Sequence, residues 1–598
     1  MVQCRPTLRG TFGAVASTDW LASAAAMAVL EHGGNAFDAA AAAGFALQVV
    51  EPHLNGPAGD VPILLHVAGS GQAEVICGQG PMPTAATPER FGDLGLSRIP
   101  GSGLLPACVP GAFGAWLRLL AEYGTLPLRE VLQYAIGYAA DGYPILPAAA
   151  KTIEVFAPLF ATEWAESGRT YLSGGAAPAP GSRVRNPVLA ETYRQILREA
   201  EAAGGGREAQ LEAAHAAFYQ GFVAEAIDRF TGTEVLDGTG RRHRGLLTGQ
   251  DLAQWRPARE PAVSAAFDGC RVYKPGPWSQ GPVFLQQLAL LDGFDLAGMG
   301  LGSAEYLHTV VECAKLAYAD REAWYGDPLF TDVPLETLLS EQYAKERRAL
   351  VGPTAAADLR PGEPGGRRSW IPEAADGGPP PSGPDWERQL TSGLPNLVKL
   401  TEARGDTCCV TVADRAGNLV AATPSGGWLK SSPVVPGLGF PLGTRGQMAW
   451  LEQGHPNSLA PGKRPRTTLS PTVVLRDGEP YLAFGTPGGD QQDQWTLQFF
   501  LARTRFGLDL QAAVETRAFH TDHVPTSFTP RQRRPLTVLL ERGDDDGRAE
   551  AALADRGHEV EPVPAFSLGK VCACGFEPGG VVLAAASPRG EQAYAMGR

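Results

Sequence analysis

The sequence predicts a mixed α/β fold, of the α+β type, in which helices pack against antiparallel strands. Two observations indicate this: alanine-rich helical patterns dominate the first 400 residues, and paired strand patterns begin after residue 398. A third is the amphipathic helical pattern over residues 494–504, which follows the second pair of strands. Because helices and strands of this kind each have an apolar face, we expect them to bury those faces in a layered core.

The predicted helices have clear ends. The first begins near Trp20 and stops at Gly33-Gly34, after which the Asn35 side chain can cap the next helix, with Asp38 in its first turn. The apolar part of that second helix, 39–50, is too short to cross a bilayer and therefore indicates a buried helix. Further helices are predicted over residues 111–122, 128–140, 188–203 and 304–324.

The chain changes character between residues 352 and 385, where proline and glycine replace periodic apolar residues, and we predict a long exposed loop or linker there. After it, residues 407–413 and 419–423 flank a turn at 414–418, which is typical of a β-hairpin. A second hairpin is predicted around Asp477-Gly478, and its second strand runs into the glycine loop 485–489.

The composition excludes some classes of partner and site. The chain has 598 residues and a formal net charge of −13, which argues against nucleic acid or an anionic membrane as its main partner. The N-terminus shows no apolar stretch of the secretory type, and nine scattered cysteines favour a reducing, cytoplasmic compartment. Neither Cys408-Cys409 nor the pair Cys572 and Cys574 has zinc or redox spacing, so no metal is expected.

Thr407 stands at the start of the first hairpin, directly after Asp406. A threonine hydroxyl is a poor nucleophile unless a base is held within hydrogen-bond reach, and no histidine lies nearby in sequence. If the chain is cut between Asp406 and Thr407, the new α-amino group, with an ordinary pKa of about 8, becomes that base. The local sequence leaves open whether Thr407 is this nucleophile or a packed β-branched residue.

Several separated motifs give Thr407 a context. They are GGNAFDAAAAAGFALQVVEPH (33–53), VPGAFGAWLRLLAEYG (109–124), LTGQDLAQW (247–255), DTCCVTVADRAGN (406–418), KRPRTTLSPTVV (463–474) and GTPGG (485–489). In this order they resemble the γ-glutamyltranspeptidase family of N-terminal-nucleophile (Ntn) hydrolases over most of the chain. The resemblance implies a four-layer αββα sandwich with two central antiparallel sheets flanked by helices. It also implies autocleavage into a large chain, 1–406, and a small chain, 407–598, with a dimer of that unit left open.

The resemblance assigns catalytic roles to four positions. Thr407 matches the family's nucleophile, and Ser425 falls where the family has a hydroxyl residue that supports it. Gly488 and Gly489 match the pair whose backbone N–H groups form the oxyanion hole. Glycine suits that position because the backbone must approach the reacting carbonyl closely.

The substrate end departs from the family pattern. Thr467 and Thr468 replace a pair of serines and keep their hydroxyls. Gln79 stands where the family has an arginine for the donor's α-carboxylate, Trp450 where it has an acidic residue for the α-amino group, and Gly427 where it has an asparagine. A charged donor would lose hydrogen bonds worth about 1.5–3 kcal/mol each. We therefore expect retained catalytic machinery and another amide substrate, such as one with an aromatic or uncharged acyl part.

Other polar residues near these motifs allow two interpretations. Arg466 is a candidate substrate contact, as are Arg445 and Arg464, although Arg464 could instead tie loops together. Asp490 either places a polar helix start at the edge of the site or caps that helix. The adjacent thiols at 408–409 are expected on opposite faces of the strand, as small buried side chains.

The leading hypothesis is a self-processing amide hydrolase or acyltransferase that acts on a small-molecule amide without metal or cofactor. One alternative is a genuine γ-glutamyltransferase or glutathione hydrolase that recognises its donor with different residues. Another is an uncut family member that has no enzymatic activity.

Overall fold

The computed structural model describes residues 3–372, 407–529 and 531–598, and two seven-stranded antiparallel sheets dominate this part of the chain. Sheet I consists, from edge to edge, of β1 (Leu8–Gly10), β20 (Val581–Ala586), β19 (Cys572–Glu577), β15 (Glu479–Gly485), β14 (Thr472–Arg476), β11 (Cys270–Lys274) and β10 (Val263–Phe267). Sheet II consists of β21 (Tyr594–Gly597), β2 (Gly13–Ser17), β12 (Val410–Asp414), β13 (Leu419–Ala422), β3 (Val61–His66), β4 (Glu74–Gly78) and β9 (Ala258–Pro261).

Three smaller strand groups complete the described sheets. A mixed sheet contains β16 (Phe519–Thr521), β17 (Thr537–Glu541) and β18 (Glu559–Val563), and two short pairs join β5 (Tyr143–Pro144) to β6 (Arg183–Val184) and β7 (Val235–Leu236) to β8 (Arg242–His243).

The α-helices of the described ranges are α1 (Trp20–Glu31), α2 (Ala36–Val50), α3 (Pro88–Asp93), α4 (Ala112–Tyr123), α5 (Leu128–Asp141), α6 (Pro147–Thr162), α7 (Ala165–Tyr171), α8 (Pro187–Ala202), α9 (Arg207–Tyr219), α10 (Phe222–Thr231), α11 (Gly249–Ala253), α12 (Gly281–Leu291), α13 (Leu296–Met299), α14 (Ala304–Trp324), α15 (Leu335–Leu338), α16 (Glu341–Arg348), α17 (Gln492–Thr504), α18 (Leu510–Val514) and α19 (Arg548–Asp555). None of them is both long and apolar enough to cross a membrane.

The two large sheets stack face to face, and helices cover their outer faces. A layer of small apolar side chains, among them Cys409, Ala413, Ala483 and Val582, fills the space between the sheets. Helices α1, α2 and α4 pack on sheet II, and α5, α8 and α9 pack against those helices or one another. Helices α12, α14, α16, α17 and α18 lie on the side of sheet I. The predicted four-layer αββα sandwich is therefore confirmed.

Helix α2 follows the sequence prediction closely. The Asn35 side chain accepts hydrogen bonds from the N–H groups of Phe37 and Asp38, and the Asp38 side chain accepts one from Asn35, so a complete capping box begins the helix. Every residue of α2 is buried, and Gly44 meets the Trp116 indole so closely that an added Cβ would lie 2.3 Å from the ring. The small side chains of α2 thus let it pack centrally on sheet II.

The predominantly helical interpretation of the first 400 residues missed several strands. Strands β1–β4 and β9–β11 all come from this part of the chain, and β2 and β3 are buried along their whole length. Strands buried on both faces lack the alternation that marks a half-exposed strand, so the pattern did not separate them from helix segments.

Both large sheets combine strands from before and after Thr407. β12 pairs with β2 and β13 with β3 in sheet II, while β14 pairs with β11 in sheet I. A chain cut before Thr407 would therefore leave two interleaved chains held by the sheet hydrogen bonds. Of the predicted linker 352–385, residues 352–372 form an irregular segment with one short turn at Pro364–Gly366, and the remainder lies outside the described residues, as does Asp406.

Candidate active site

Thr407 lies just before β12, where it forms an isolated antiparallel bridge with Ser425. Both side chains are buried, and the Thr407 Oγ1 atom lies 3.4 Å from the Ser425 Oγ atom. The Cys408 N–H donates to the Pro424 carbonyl at 2.8 Å, which holds the two segments in register. The β12–β13 hairpin therefore brings the predicted nucleophile and its predicted supporting hydroxyl together.

Ser425 is fixed by a buried ion pair. Arg445 donates from Nη2 to Ser425 Oγ at 2.8 Å, and it binds both carboxylate oxygens of Asp60 at 2.8 and 2.9 Å. The backbones of Asp60 and Ser425 exchange two further hydrogen bonds, of 2.8 and 2.9 Å. Because a guanidinium only donates, Ser425 Oγ accepts this bond and can use its own proton as a donor. One connected polar network therefore runs from Thr407 through Ser425 and Arg445 to Asp60.

Sequence reasoning missed the role of Asp60 and gave Arg445 a different one. Arg445 was a candidate for binding a substrate acid, but its guanidinium is occupied by Asp60 and lies 5.3 Å from the centre of the Trp428 ring. Nothing in the local sequence GPAGD (56–60) indicated that Asp60 would pair with an arginine 385 positions away.

Gly488 and Gly489 adopt backbone conformations that favour glycine, with φ of 132° and 56°. A Cβ on Gly488 would lie 2.1 Å from the Trp495 ring, so a side chain has no room there. The loop that contains them follows β15, and Gly485, the last residue of β15, packs against Cys409 and Thr423 beside the β12–β13 hairpin. Their assignment as the oxyanion hole stays a prediction.

Asp490 does not cap helix α17. The N-cap residue is Gln491, which makes no side-chain cap bond. Asp490 instead accepts hydrogen bonds from Arg321 at 2.5 Å and from the Ser527 N–H and hydroxyl at 2.9 and 2.6 Å. The carboxylate therefore links the turn after the two glycines to Arg321 and Ser527. The prediction that Asp490 caps the helix was wrong.

Three of the predicted substrate-binding residues carry buried polar atoms that lack a partner within the described ranges. These atoms are Gln79 Oε1, Trp450 Nε1 and Thr468 Oγ1. Thr467 differs, because its hydroxyl accepts a long hydrogen bond, of 3.4 Å, from the Leu469 N–H. Buried polar groups without partners carry a desolvation cost, which a polar ligand can offset by pairing with them.

Gly427 has a structural reason to be glycine. Its φ is 65°, and a Cβ built on it would lie 3.2 Å from the Gly59 nitrogen and 3.3 Å from the Gly56 Cα. The loop 56–60 packs directly on this backbone, so a side chain at the position matched to the family's asparagine would be crowded and its backbone strained.

Arg531 is a site residue that the sequence did not indicate. Its guanidinium lies over the Trp450 ring, 3.8 Å from the centroid, and its Nη2 donates to the carbonyls of Gln447, Met448 and Ala449 at 3.2, 2.7 and 3.0 Å. Its Nη1 has no partner among the described residues, and burial lowers the pKa of Arg531 to about 9. No sequence motif marked it, because it comes from a separate loop.

The other two arginines that were considered are held in ion pairs. Arg466 is buried and donates to Glu322 and to the Arg321 carbonyl, both at 2.8 Å. Arg464 binds Asp327 at 2.7 and 3.0 Å and also pairs with Glu260, so it ties loops together. A substrate contact by Arg466 stays a prediction, and it would have to compete with Glu322.

The adjacent thiols lie on opposite faces, as predicted. Cys408 packs in the layer between sheet II and its helices, and Cys409 lies between the two sheets. Burial raises the pKa of both thiols, which keeps them protonated and poorly nucleophilic.

Comparison with known proteins identifies the family. A family model described as Gamma-glutamyltranspeptidase matches residues 22–597. The chain belongs to the γ-glutamyltranspeptidase family. This member is 30% identical to the glutathione hydrolase-like YwrD proenzyme of Bacillus subtilis (strain 168), over 98% of each chain. It is 31% identical to the acylase ACY 1 proenzyme of Pseudomonas sp. (strain SE83), over 97% of this chain and 93% of the relative. The solved structure of LmbA2991HD is similar over the whole of both chains, with 53% identity and a TM-score of 0.93.

Proposed function

We propose that this γ-glutamyltranspeptidase-family member is a self-processing amidohydrolase, with acyl transfer as a second outcome, that uses Thr407 as its N-terminal nucleophile. One observation carries the proposal: Thr407 Oγ1 lies 3.4 Å from Ser425 Oγ, which accepts a bond from the Asp60-paired Arg445. The proenzyme relatives, an acylase and a glutathione hydrolase-like protein, support the same reaction class.

The first reaction is the protein's own cleavage. The Thr407 hydroxyl attacks the carbonyl carbon of Asp406, the C–N bond breaks, and the Asp406 acyl group moves to the threonine oxygen as an ester. Water then hydrolyses the ester, which leaves a carboxylate on Asp406 and a free α-amino group on Thr407. That amine is the base that the hydroxyl otherwise lacks.

Turnover repeats this chemistry on an external amide. The Thr407 amine takes the hydroxyl proton as the oxygen bonds to the substrate carbonyl carbon, and the resulting oxyanion accepts hydrogen bonds from the N–H groups of Gly488 and Gly489. The protonated amine returns the proton to the leaving nitrogen as the C–N bond breaks. Water attacking the acyl-enzyme gives hydrolysis, and an amine attacking it gives transfer.

The substrate end favours an amide other than a simple γ-glutamyl donor. Gln79 offers an amide where an arginine would bind a carboxylate, and Trp450 offers an indole where an acid would bind an ammonium. Gln79 Oε1, Trp450 Nε1 and Thr468 Oγ1 have no hydrogen-bond partner in the described part of the chain, which suits a polar but uncharged group. An acyl part of this kind, or an aromatic one, is the proposed donor.

A γ-glutamyl donor is the second candidate, and Arg531 is the observation that favours it. Its guanidinium lies over Trp450, and its Nη1, which lacks a partner within the described ranges, could hold a carboxylate in place of the arginine that Gln79 replaces. The likeness to a glutathione hydrolase-like proenzyme points the same way.

The proposal includes an assembly and a compartment. The large and small chains stay associated because both large sheets contain strands from each. All nine cysteines are unpaired, which supports a reducing cytoplasmic location.

Processing is tested by intact mass and a denaturing gel on purified protein. Wild type is expected as two fragments, the smaller beginning at Thr407, while Thr407→Ala stays a single chain. Thr411→Ala is the matched control, because Thr411 lies on the same nucleophile strand and bonds to the Ala16 carbonyl, away from Ser425. An uncut wild-type chain that is active on amides would overturn the proposal.

Specificity is tested on the processed protein with anilides of three acyl groups. Phenylacetyl and oxamoyl p-nitroanilides are expected to react faster than γ-glutamyl-p-nitroanilide. The reverse order would favour the second candidate, a γ-glutamyl donor. Loss of γ-glutamyl-p-nitroanilide hydrolysis in Arg531→Met would then identify Arg531 as the residue that binds the donor's carboxylate.

A further inference from the structure

A cavity of about 600 Å³ lies between the segment 143–186 and the loops at 52–57 and 439–441. Its walls include the apolar side chains of Tyr143, Ile153, Tyr171, Leu172 and Phe440. A volume of this size suits a drug-sized molecule. Of the predicted site residues, Gly427 alone is among those lining it.

The mouth of the cavity is cationic. Arg169, Arg183 and Arg185 line it, and no acidic residue is among the lining residues in the described part of the chain. Arg169 is paired with Glu166. Among the described residues Arg185 donates to the Asp141 carbonyl and pairs with no carboxylate, so that bond leaves its charge uncompensated. The chain as a whole has a net charge of −13, but the mouth of this cavity is positively charged and would attract an anion locally.

The tyrosines of the wall do not offset this charge. Burial raises the pKa of both Tyr143 and Tyr171 above their usual range, so the two phenols stay neutral. The wall therefore offers apolar ring surface below a basic rim.

Two buried amides on the floor each have one atom without a partner among the described residues. Gln48 accepts from the Tyr193 hydroxyl at 2.6 Å, which leaves its Nε2 donor unpaired. Asn55 donates to the Leu47 carbonyl at 2.9 Å and to Cys408 Sγ at 3.1 Å, which leaves its Oδ1 acceptor unpaired. One donor and one acceptor match a hydroxyl group, which can accept and donate at once.

We propose that this cavity binds a small amphipathic carboxylate: the carboxylate at the arginine mouth, an aromatic or aliphatic body along the wall, and a hydroxyl towards the two floor amides. The inference goes beyond the proposed function, because binding here requires neither chain cleavage nor a reaction at Thr407. The cavity nevertheless lies next to the candidate active site. Asn55 contacts Cys408, the residue after Thr407, and Gly427 lies two residues after Ser425.

The test is isothermal titration calorimetry on the purified full-length protein, with 4-(4-hydroxyphenyl)butanoate as the probe. We expect saturable one-to-one binding that weakens with added salt, because exposed charges are screened. The alcohol 4-(4-hydroxyphenyl)butan-1-ol is expected to bind about tenfold more weakly, and 4-phenylbutanoate, which lacks the hydroxyl, about fivefold more weakly, on the scale of one charge or one hydrogen bond. Equal affinity for the acid and the alcohol would overturn the proposal.

Variants locate the site. Arg183→Glu and Arg185→Glu are expected to weaken carboxylate binding about tenfold each and to leave alcohol binding unchanged. Arg198→Glu is the matched control, because Arg198 is an exposed arginine that pairs with Glu191 on α8 and does not line the cavity. Ala177→Trp, which places a large ring at a lining position of the cavity, should abolish binding of both probes. Wild-type affinity in Arg183→Glu, Arg185→Glu and Ala177→Trp would contradict the assignment.

Thr407→Ala separates this inference from the proposed function. The variant is expected to bind the probe with the wild-type Kd although it is neither processed nor active. Loss of binding in Thr407→Ala together with unchanged binding in Ala177→Trp would place the probe at the nucleophile and overturn the proposal.

Discussion

Asp60 and Arg445 face each other through two parallel hydrogen bonds, of 2.9 and 2.8 Å, in the buried interior beside Thr407. The same arginine reaches Ser425 Oγ, and the Asp60 backbone pairs with the Ser425 backbone. The Ser425 hydroxyl, the predicted support of the nucleophile, is therefore held from two sides, by a charge pair and by the main chain. Such a bidentate ion pair fixes the orientation of the Arg445 guanidinium as well as stabilising it.

Arg445→Lys is predicted to slow both processing and turnover. A lysine keeps the charge but cannot bind both Asp60 oxygens and Ser425 in one plane. Loss of one charge-assisted bond, worth about 1.5–3 kcal/mol, corresponds to about a 10- to 150-fold lower rate. The measurements are the cleaved fraction over time by intact mass and kcat on the preferred anilide. Arg534→Lys, in an exposed ion pair with Glu561, should behave like wild type, and wild-type rates in Arg445→Lys would refute the role.

Gly488→Ala is predicted to lower kcat by about 10²–10³ with a smaller effect on KM, as expected for a lost oxyanion contact. The φ of 132° disfavours alanine, and its Cβ would lie 2.1 Å from the Trp495 ring, so the loop must move. Gly478→Ala is the matched control, since Gly478 also has a positive φ, of 84°, but has open space around it. Thermal unfolding of both variants separates a catalytic effect from a folding defect, and equal kcat values would count against the oxyanion assignment.

Arg531→Lys is predicted to loosen the 447–450 segment. A lysine cannot serve three carbonyls and stack on Trp450 at the same time, so we expect stability to fall by about 1–3 kcal/mol. The KM for the preferred amide should rise more than kcat falls, because Trp450 lines the proposed substrate end. Chemical denaturation and steady-state kinetics measure the two effects. An unchanged KM in a destabilised variant would leave Arg531 with a purely structural role.

Local patterns in the sequence predicted the local parts of the fold. The capping box of Asn35 and Asp38, the β12–β13 hairpin and the full extent of α14 all depend on residues within a few positions of one another. Strands β2 and β3 escaped prediction because strands buried on both faces have no alternation.

The long-range contacts of the candidate site could not be predicted in this way. Asp60 and Arg445 are 385 positions apart, and Arg531 reaches Trp450 from another loop. The family resemblance named Thr407 and Ser425, but it could not show that the charge pair holds them. Contacts of this kind depend on the packed sheets, which only the folded chain brings together.

Stability is predicted to fall below pH 6.5 in a way that depends on His455. The ring donates from Nε2 to the Glu322 carbonyl at 2.7 Å and accepts the Asn457 N–H at Nδ1, so both nitrogens are used by the neutral form. Burial, with Arg466 nearby, lowers the pKa of His455 to about 3. The unfolded chain therefore binds one more proton than the folded chain between about pH 3 and 6.5, and the unfolding free energy decreases by up to about 1.4 kcal/mol per pH unit there. His455→Gln can keep both hydrogen bonds without titrating, so its unfolding free energy should depend less steeply on pH than that of wild type. Above pH 8 the difference in unfolding free energy between the two proteins should stay constant. Urea unfolding at pH 8, 6 and 5 measures both slopes, and parallel curves for wild type and His455→Gln would show that His455 does not titrate on unfolding.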